Sequence, residues 1–416
     1  MKKLNNYSFG IGDRFGHQGE AQLKAFIKAK EAGLDISPVW NKSNREHEII
    51  GTQPGDVRVE ADSAVKNLGW SDNHFVDADH INLDTVDRFI EPSDFFTIDV
   101  ASYIGKPASK EEVDTFISGC SQYTGTVVIP GIPESFTISE ADIRSVADQY
   151  LYAAKMAGEI YRTIEKVKGE GNFITEVSMD EVPAPQTPIE LFFILKMLSD
   201  AKVPAQTIAP KFSGRFNKGV NYVGNVDEFA VEFEQDILVL SHAIKEFGLP
   251  QELKLSVHSG SDKFAIYPHI GNIIRKHNTG IHVKTAGTTW LEEVIGLATA
   301  GGEALDFVKE IYEKALIKQE ELCAPYADVI DINPENLPSA EEVKGWSSQK
   351  MVDSLTHNNA CEDYNPDMRQ LVHVGYKLAA MQIDRYFELL EKYSEIVNNC
   401  VFENIYERHM KLLFEL

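Results

Sequence analysis

Residues 173–198 read FITEVSMDEVPAPQTPIELFFILKML, a strand pattern followed directly by a helical one. Phe173–Asp180 mixes apolar and polar side chains with the period of two that is typical of a β-strand. Thr187 and Pro188 then provide an N-cap and a proline in the first turn, and the apolar stripe that starts at Leu191 predicts a helix. A strand followed by a helix is the repeating unit of a parallel sheet.

The same unit recurs along the first 300 residues. Most gaps between the predicted strands hold a helical pattern, for example Glu20–Ala32 and Val226–Phe247. Eight apolar runs are strand candidates: Tyr7–Ile11, Ile36–Trp40, His74–Asp79, Phe95–Asp99, Phe173–Asp180, Thr207–Phe212, Leu255–His258 and Ile281–Lys284. Because eight parallel strands with right-handed crossovers close into a ring, we predict an α/β fold with a (β/α)8, or TIM, barrel over residues 1–300.

Two segments depart from this alternation. Within residues 120–168, Thr126–Ile129 and Ser135–Ile138 flank a Pro-Gly turn and predict a β-hairpin, which the long helix Glu140–Lys168 follows. We interpret this segment as an insertion between the fourth and fifth barrel strands. Residues 301–416 are mainly helical in pattern, and we predict a helical C-terminal extension packed on the barrel.

The charge balance excludes several classes of protein. The 416 residues carry 40 Lys and Arg against 64 Asp and Glu, a formal charge of −24. A surface this acidic repels nucleic acid and anionic membranes. The four cysteines form no CxxC pair, so a zinc knuckle or a redox motif is excluded. Without a leader pattern or a long apolar stretch, we expect a cytoplasmic protein.

Ionisable side chains gather at the carboxyl ends of the predicted strands, the end at which TIM barrels bind ligands. Glu176 shares a strand face with Asp180, and His282 shares one with Lys284. The third strand ends in Asp77-Ala78-Asp79-His80, where the acids and the imidazole cannot all face one way on a regular strand. Burying so many charges is costly unless they are paired or bind a metal. A functional pocket therefore explains this rim better than a set of satisfied structural groups does.

A metal ion is the first ligand we expect at this rim. Imidazoles combined with a carboxylate suit Zn²⁺, Mn²⁺, Ni²⁺ or Fe²⁺, and His80, Glu176, His258 and His282 are the candidate ligands. Asp79, Asp99 and Asp180 are candidates for orienting those ligands or for acid–base work. Next to a metal, Lys284 is better explained as a charged group than as a Schiff-base nucleophile.

A nucleotide cofactor is not expected. Residues 10–16, GIGDRFG, follow a strand, but the GxGxxxG spacing is one residue longer than the dinucleotide fingerprint. The glycines are explained by a tight turn at the end of the first strand, from which Asp13 and Arg14 can face the pocket. The charged loop after the second strand, residues 43–48 (SNREHE), is open to two interpretations, a solvated loop or a substrate lid.

Seven blocks together resemble the tagaturonate epimerase family. They are FGIGDRFG (9–16), VDADHI (76–81), FFTIDV (95–100), TEVSMDE (175–181), LSVHSGSDKFAIYP (255–268), IHVKTAGTTWLEEV (281–294) and RQLVHV (369–374). The resemblance implies a metal-dependent isomerase of hexuronate catabolism that interconverts D-tagaturonate and D-fructuronate. Family members carry several dozen residues ahead of the first strand, whereas this sequence starts close to it.

The resemblance also implies roles for individual residues. The implied metal ligands are His80, Glu176, His258 and His282, and the implied acid–base groups are Glu46, Asp79 and Asp180. The predicted substrate contacts are Asp13, Arg14, Ser43, Arg45, Lys211, Asp262, Lys263 and Lys284. The expected partner is a small uronate or ketose, and a homo-oligomer is possible. A metal-dependent aldolase, a ketose isomerase and a non-enzymatic sugar-acid-binding regulator remain alternatives.

Overall fold

The computed structural model describes residues 2–285 and 288–415. Its centre is a closed parallel barrel in the spatial order β1-β10-β9-β8-β7-β4-β3-β2, which confirms the predicted (β/α)8 fold. The strands are β1 (Tyr7–Gly12), β2 (Ile36–Ser43), β3 (Phe75–Ile81), β4 (Phe95–Asp99), β5 (Gly125–Val127), β6 (Phe136–Ile138), β7 (Ile174–Ser178), β8 (Thr207–Ala209), β9 (Lys254–Val257) and β10 (Ile281–Lys284). The pair β5–β6 lies outside the barrel as the predicted antiparallel hairpin.

Helices cover the barrel and continue beyond it. Those up to β10 are α1 (Gly19–Glu31), α2 (Asn44–Ile50), α3 (Pro54–Leu68), α4 (Val86–Ile90), α5 (Lys110–Gly119), α6 (Glu140–Lys168), α7 (Pro188–Asp200), α8 (Val226–Phe247) and α9 (Tyr267–Lys276). After β10 come α10 (Thr288–Ala300), α11 (Gly302–Ile317), α12 (Gln319–Cys323), α13 (Ala340–Lys344), α14 (Ser348–Leu355), α15 (Pro366–Val374), α16 (Tyr376–Ala380), α17 (Ile383–Lys392), α18 (Ser394–Glu403) and α19 (Lys411–Phe414). A π-helical segment, Asn404–Met410, joins the last two, and no helix in the described ranges is long and apolar enough to cross a bilayer.

Local sequence explains where the helices begin. Thr187 caps α7 in a reciprocal capping box with Glu190, and Pro188 occupies the first turn, as its fixed φ favours. Ser43 forms the same box with Glu46 at the start of α2, directly after β2. This second box fixes the Glu46 carboxylate at the carboxyl end of the barrel.

An irregularity in β3 explains how the neighbouring residues Asp79 and His80 can face the same pocket. The pairing of β3 with β4 shifts register between Ala78 and Ile81, and His80 adopts a φ of +52°. Such an irregularity lets neighbouring residues leave strict alternation and aims a side chain towards a site. Asp79 and His80 therefore both reach the pocket from one strand.

The last helices complete the outer ring of the barrel. The π-helical segment packs on α1, and α19 packs on α9, so they fill the seam between the first and last strands. The Tyr7 and Phe414 rings lie 4.8 Å apart, and Ile405, Met410 and Leu413 are buried in the barrel's apolar core. A second apolar core joins α10, α11 and α14–α17. The domain boundary at residue 300 stays a prediction. Residues from both sides of it contribute to the outer ring of helices.

Candidate active site

Lys284 is the centre of a buried charge network at the carboxyl end of the barrel. Its Nζ lies 2.7 Å from Asp77 Oδ2, 2.7 Å from Asp79 Oδ1 and 3.2 Å from Glu176 Oε1. Burial opposes its charge, but the three carboxylates outweigh burial and hold the pKa of Lys284 well above its usual value. A side chain at position 10 would crowd this lysine, because a Cβ on Gly10 would lie 3.0 Å from Lys284 Cγ. The close approach of Lys284 thus explains the glycine at position 10.

The carboxylates around Lys284 titrate differently. Burial raises the pKa of Asp77 to about 7 even though Lys284 opposes the shift. For Asp79 burial acts in the same direction, but Lys284 and His80 outweigh it and lower its pKa. Asp79 is therefore ionised at neutral pH. Its Oδ2 accepts no hydrogen bond from any residue in the described part of the chain, whereas Oδ1 accepts one from Lys284.

His258 connects this network to the rim. Its Nε2 lies 2.7 Å from Glu176 Oε1, and its Nδ1 lies 3.1 Å from Asp180 Oδ1. Asp180 also accepts a hydrogen bond from Ser178 Oγ at 2.5 Å. Burial disfavours a charged imidazole, but the carboxylates of Asp180 and Glu176 outweigh burial and raise the pKa of His258.

His80 faces His258 across the pocket. The two rings are 5.0 Å apart and nearly perpendicular, and His80 Nδ1 lies 3.5 Å from Asp99 Oδ2. Burial lowers the pKa of His80, but Asp79, Asp99 and Asp180 outweigh it and raise this pKa to about 10. The pocket therefore stabilises positive charge at the place where the two imidazoles meet.

His80, Asp180 and His258 each offer a ligand atom, and these atoms all lie within 4.8 Å of one another. Two imidazoles and a carboxylate are a donor set that Zn²⁺, Mn²⁺, Ni²⁺ and Fe²⁺ accept. The surrounding acids favour positive charge there, so a divalent cation fits the electrostatics, and the imidazoles would then be neutral. Asp180, expected as an acid–base group, thus joins the predicted ligands His80 and His258.

The other two predicted ligands lie elsewhere in the network. Glu176 is fully buried, where it accepts hydrogen bonds from Thr207 and Thr97 and orients His258. His282 lies deeper in the barrel, with Nδ1 2.9 Å from Ser8 Oγ and its ring 5.2 Å from that of Phe95. Burial lowers the pKa of His282 to about 3, so its ring is neutral. The structure does not bring either residue into the group of three.

A second group of predicted residues lies beside the first. Arg14 Nε donates to Glu46 Oε1 at 2.7 Å, and the guanidinium stacks 3.9 Å over the ring of Tyr376. Glu46 Oε2 accepts from the backbone N–H of Ser43 at 3.2 Å. Burial raises the pKa of Glu46, but Arg14 outweighs it and lowers that pKa. Ser43 pairs with Asp79 between β2 and β3, which places this group next to the Lys284 network.

Several other predicted substrate contacts have partners within the protein. Asp13 accepts four backbone N–H bonds, from residues 15–18, and so builds the turn after β1. Asp262 pairs with buried Arg369 at 2.9 Å, and Lys263 donates to three backbone carbonyls. Arg45 is exposed and stacks 4.7 Å from the Tyr326 ring centroid. Lys211 is half-buried on the loop that follows β8.

Sequence reasoning missed Lys218, His373 and Tyr376. Lys218 lies in the loop between β8 and α8, and its Nζ donates to Ser259 Oγ at 2.7 Å, beside His258. His373 and Tyr376 come from the helical C-terminal part, where both contact Arg14. Periodicity marks none of the three. Only the rule that loops after barrel strands carry function points to Lys218.

Comparison with known proteins gives consistent results. The family model described as tagaturonate epimerase matches residues 1–413. A tagaturonate/fructuronate epimerase of Thermotoga maritima is 30% identical over 423 residues, which cover 98% of this chain and 80% of that protein. The native crystal structure of fructuronate-tagaturonate epimerase UxaE from Cohnella laeviribosi superposes with a TM-score of 0.79 at 25% identity, over 99% of this chain and 82% of that one. Its complex with two glycerols gives 0.81 at 24% identity, over 98% and 81%.

Proposed function

This chain belongs to the tagaturonate epimerase family of isomerases, and we propose that it interconverts D-tagaturonate and D-fructuronate with a divalent metal ion. The observation that supports a metal site is the convergence of His80, Asp180 and His258 at the carboxyl end of the barrel. This end is where TIM barrels perform their chemistry.

The substrate chemistry restricts the mechanism. The two uronates differ at C3, whereas the ketone is at C5, so C3 is β to both the ketone and the carboxylate. Removing a single α-proton cannot invert such a carbon. Retro-aldol cleavage can: the C3 hydroxyl loses its proton, C3 becomes an aldehyde, and the electrons of the C3–C4 bond form an enediolate across C4 and C5. The aldehyde then rotates, and the bond re-forms on its other face.

His80, Asp180 and His258 would hold the metal ion, which when bound acts as a Lewis acid on the ketone and a neighbouring hydroxyl. Glu176 fixes the orientation of His258 through the 2.7 Å contact to Nε2. Ser178 does the same for Asp180. Partners of this kind hold ligand side chains in place and tune their basicity.

Asp79 is the residue that we propose takes the proton from the C3 hydroxyl. It is ionised, it lies at the rim, and its Oδ2 accepts no hydrogen bond within the described ranges. Glu46 is less suited, because Arg14 and Ser43 occupy both of its oxygens. The Lys284 ammonium, 2.7 Å from Asp79 Oδ1, keeps the carboxylate charged and in place between the two halves of the reaction.

The direct test is to incubate the metal-loaded protein with D-tagaturonate and to identify the products by chromatography. We expect D-fructuronate, loss of turnover with a chelator, and three-carbon fragments when an aldehyde reagent is added. Fragments without epimer would instead indicate an aldolase, and turnover of fructose or tagatose alone would indicate a ketose isomerase. Tight uronate binding without turnover would support a regulator, and release of a bound nicotinamide on denaturation would contradict the retro-aldol route.

A further inference from the structure

We propose that Lys218 binds the substrate carboxylate and so selects uronates over neutral ketoses, an inference that rests on the proposed function. Two other cations of the pocket are engaged: Lys284 pairs with three carboxylates, and Arg14 pairs with Glu46. Across residues 2–285 and 288–415, no carboxylate forms an ion pair with Lys218. A pocket cation without a protein anion is suited to an anionic ligand.

The Lys218 ammonium has hydrogen-bonding capacity to spare. A lysine offers three N–H donors, and in the described part of the chain Nζ donates only to Ser259 Oγ. Burial lowers the pKa of Lys218, which the carboxylates of Glu181 and Asp180 partly offset. An anionic ligand would offset the effect of burial and use the remaining N–H donors of this half-buried group.

The backbone that carries Lys218 is held on both sides. Lys263 Nζ donates to the carbonyls of Asn217 and Val220, each at 2.7 Å. Arg369 Nε donates to the Gly219 carbonyl at 2.6 Å, and the Lys218 N–H donates to a carbonyl at 2.8 Å, that of Val329. Residues 217–220 are thus held by hydrogen bonds to Lys263, Arg369 and Val329, which belong to other segments of the same chain.

This clamp gives a structural role to residues 258–264, HSGSDKF. Asp262 and Lys263 belong to HSGSDKF, which starts at the candidate ligand His258. Asp262 holds Arg369 at 2.9 Å, and Arg369 and Lys263 together hold the Lys218 loop. The block therefore fixes the position of a metal ligand and, through the clamp, the position of the proposed carboxylate anchor. Preorganisation of this kind lowers the entropic cost of binding.

Placement of the carboxylate at Lys218 also orients the substrate. Ser259, the hydrogen-bond partner of Lys218, directly follows His258 in the chain. A uronate held by its C1 carboxylate at Lys218 would extend from there towards His258 and Asp79. The carbon to be inverted would then lie between the anchor and the ketone. A neutral ketose lacks the carboxylate and would lose this orientation.

The test compares Lys218→Met and Lys218→Arg with the wild-type enzyme in steady-state kinetics on D-tagaturonate. Losing a charged hydrogen bond predicts a KM about 10- to 100-fold higher for the methionine variant, with kcat much less affected. Lys218→Arg keeps the charge, so its KM should lie close to that of the wild type. Lys245→Met, on the exposed surface of α8, is the control and should match the wild type. Lys211→Met tests the other lysine of the same loop.

The outcomes separate this inference from the proposed function. A wild type that does not epimerise uronates would refute the proposed function and the anchor with it. An active wild type with an unchanged KM in Lys218→Met would refute the anchor alone, as would a raised KM in Lys211→Met only. If both Lys218 variants lose activity together with a lowered melting temperature, the lysine is structural and the proposal fails.

Discussion

Replacing Lys284 by methionine tests whether the buried network is organised around one cation. Methionine has a similar length and no charge, so Asp77, Asp79 and Glu176 would face each other without the ammonium that now lies 2.7, 2.7 and 3.2 Å from them. The lysine and these acids have almost no exposed side-chain area, so water cannot replace it easily. We expect a large loss of stability rather than a local adjustment.

The size of the loss follows from burial and chain length. Removing one partner of a buried ion pair costs about 3–5 kcal/mol in unfolding free energy. With an unfolding entropy of about 2.1 cal/mol/K per residue, 416 residues give about 0.9 kcal/mol per degree. The melting temperature of Lys284→Met should therefore be about 3–6 °C below that of the wild type.

The assay is thermal unfolding of both proteins at one scan rate, at pH 8 and at pH 5. Without the cation, burial and mutual repulsion raise the pKa values of the three carboxyl groups above their unfolded values. The folded variant then binds more protons than the unfolded chain, so its deficit should shrink as the pH falls. The matched control is Lys276→Met, which breaks an exposed pair with Glu234 and should change the melting temperature by no more than about 1 °C.

Two results would refute this reasoning. A deficit as small as that of the Lys276 control would mean that the carboxylates do not depend on Lys284 for compensation. A melting-temperature deficit that is larger at pH 5 than at pH 8 would also refute it, because protonation of the three carboxyl groups should relieve their repulsion. Adding Asp77→Asn to Lys284→Met should recover part of the stability, since it removes one uncompensated charge.

Three further changes test other parts of the site and the barrel. His258→Ala should abolish bound divalent metal, measured by elemental analysis of the folded protein, whereas His74→Ala, at the opposite end of the barrel, should keep it. Full metal content in His258→Ala would show that this residue is not a ligand. Asp79→Asn should lower kcat by about 10²–10⁴ in the folded protein; near-normal turnover would assign the proton transfer elsewhere. Burial lowers the pKa of Lys254 to about 7, so the unfolded chain binds more protons above that pH, and wild-type stability should rise from pH 7 towards 10. Denaturant titrations of Lys254→Met should show a smaller rise, and an equal one would rule out this lysine as its source.

The barrel could be predicted because its evidence is local. Strand Ile281–Lys284 was predicted with its observed bounds, and Phe95–Asp99 likewise, since short apolar runs and their turns are readable from sequence. The face shared by His282 and Lys284 was also predictable from strand alternation. The depth of each side chain in the barrel was not predictable from alternation. Lys284 contacts three acids, whereas His282, two residues earlier, contacts Ser8 and Phe95 deeper in the barrel.

Other parts of the site depend on contacts between distant segments. The direction of His80 depends on a register shift in β3, which the sequence indicated only as a conflict between neighbours. Asp262 was predicted to contact the substrate, but its buried carboxylate pairs with Arg369, which is 107 residues away in the chain. Lys218 lies in a loop without periodicity, and its position depends on hydrogen bonds donated by Lys263 and Arg369 and on one accepted by the Val329 carbonyl.

The seam between β1 and β10 has a consequence for biosynthesis. The segments that close it start at Asn404, about 120 residues after β10 ends at Lys284. At about 5–20 residues per second, a ribosome needs about 6–24 s to make that stretch. During this interval all eight strands exist, but Tyr7 and its apolar neighbours on the seam lack their cover. The nascent chain is therefore most open to chaperone binding, or to association with other chains, late in translation.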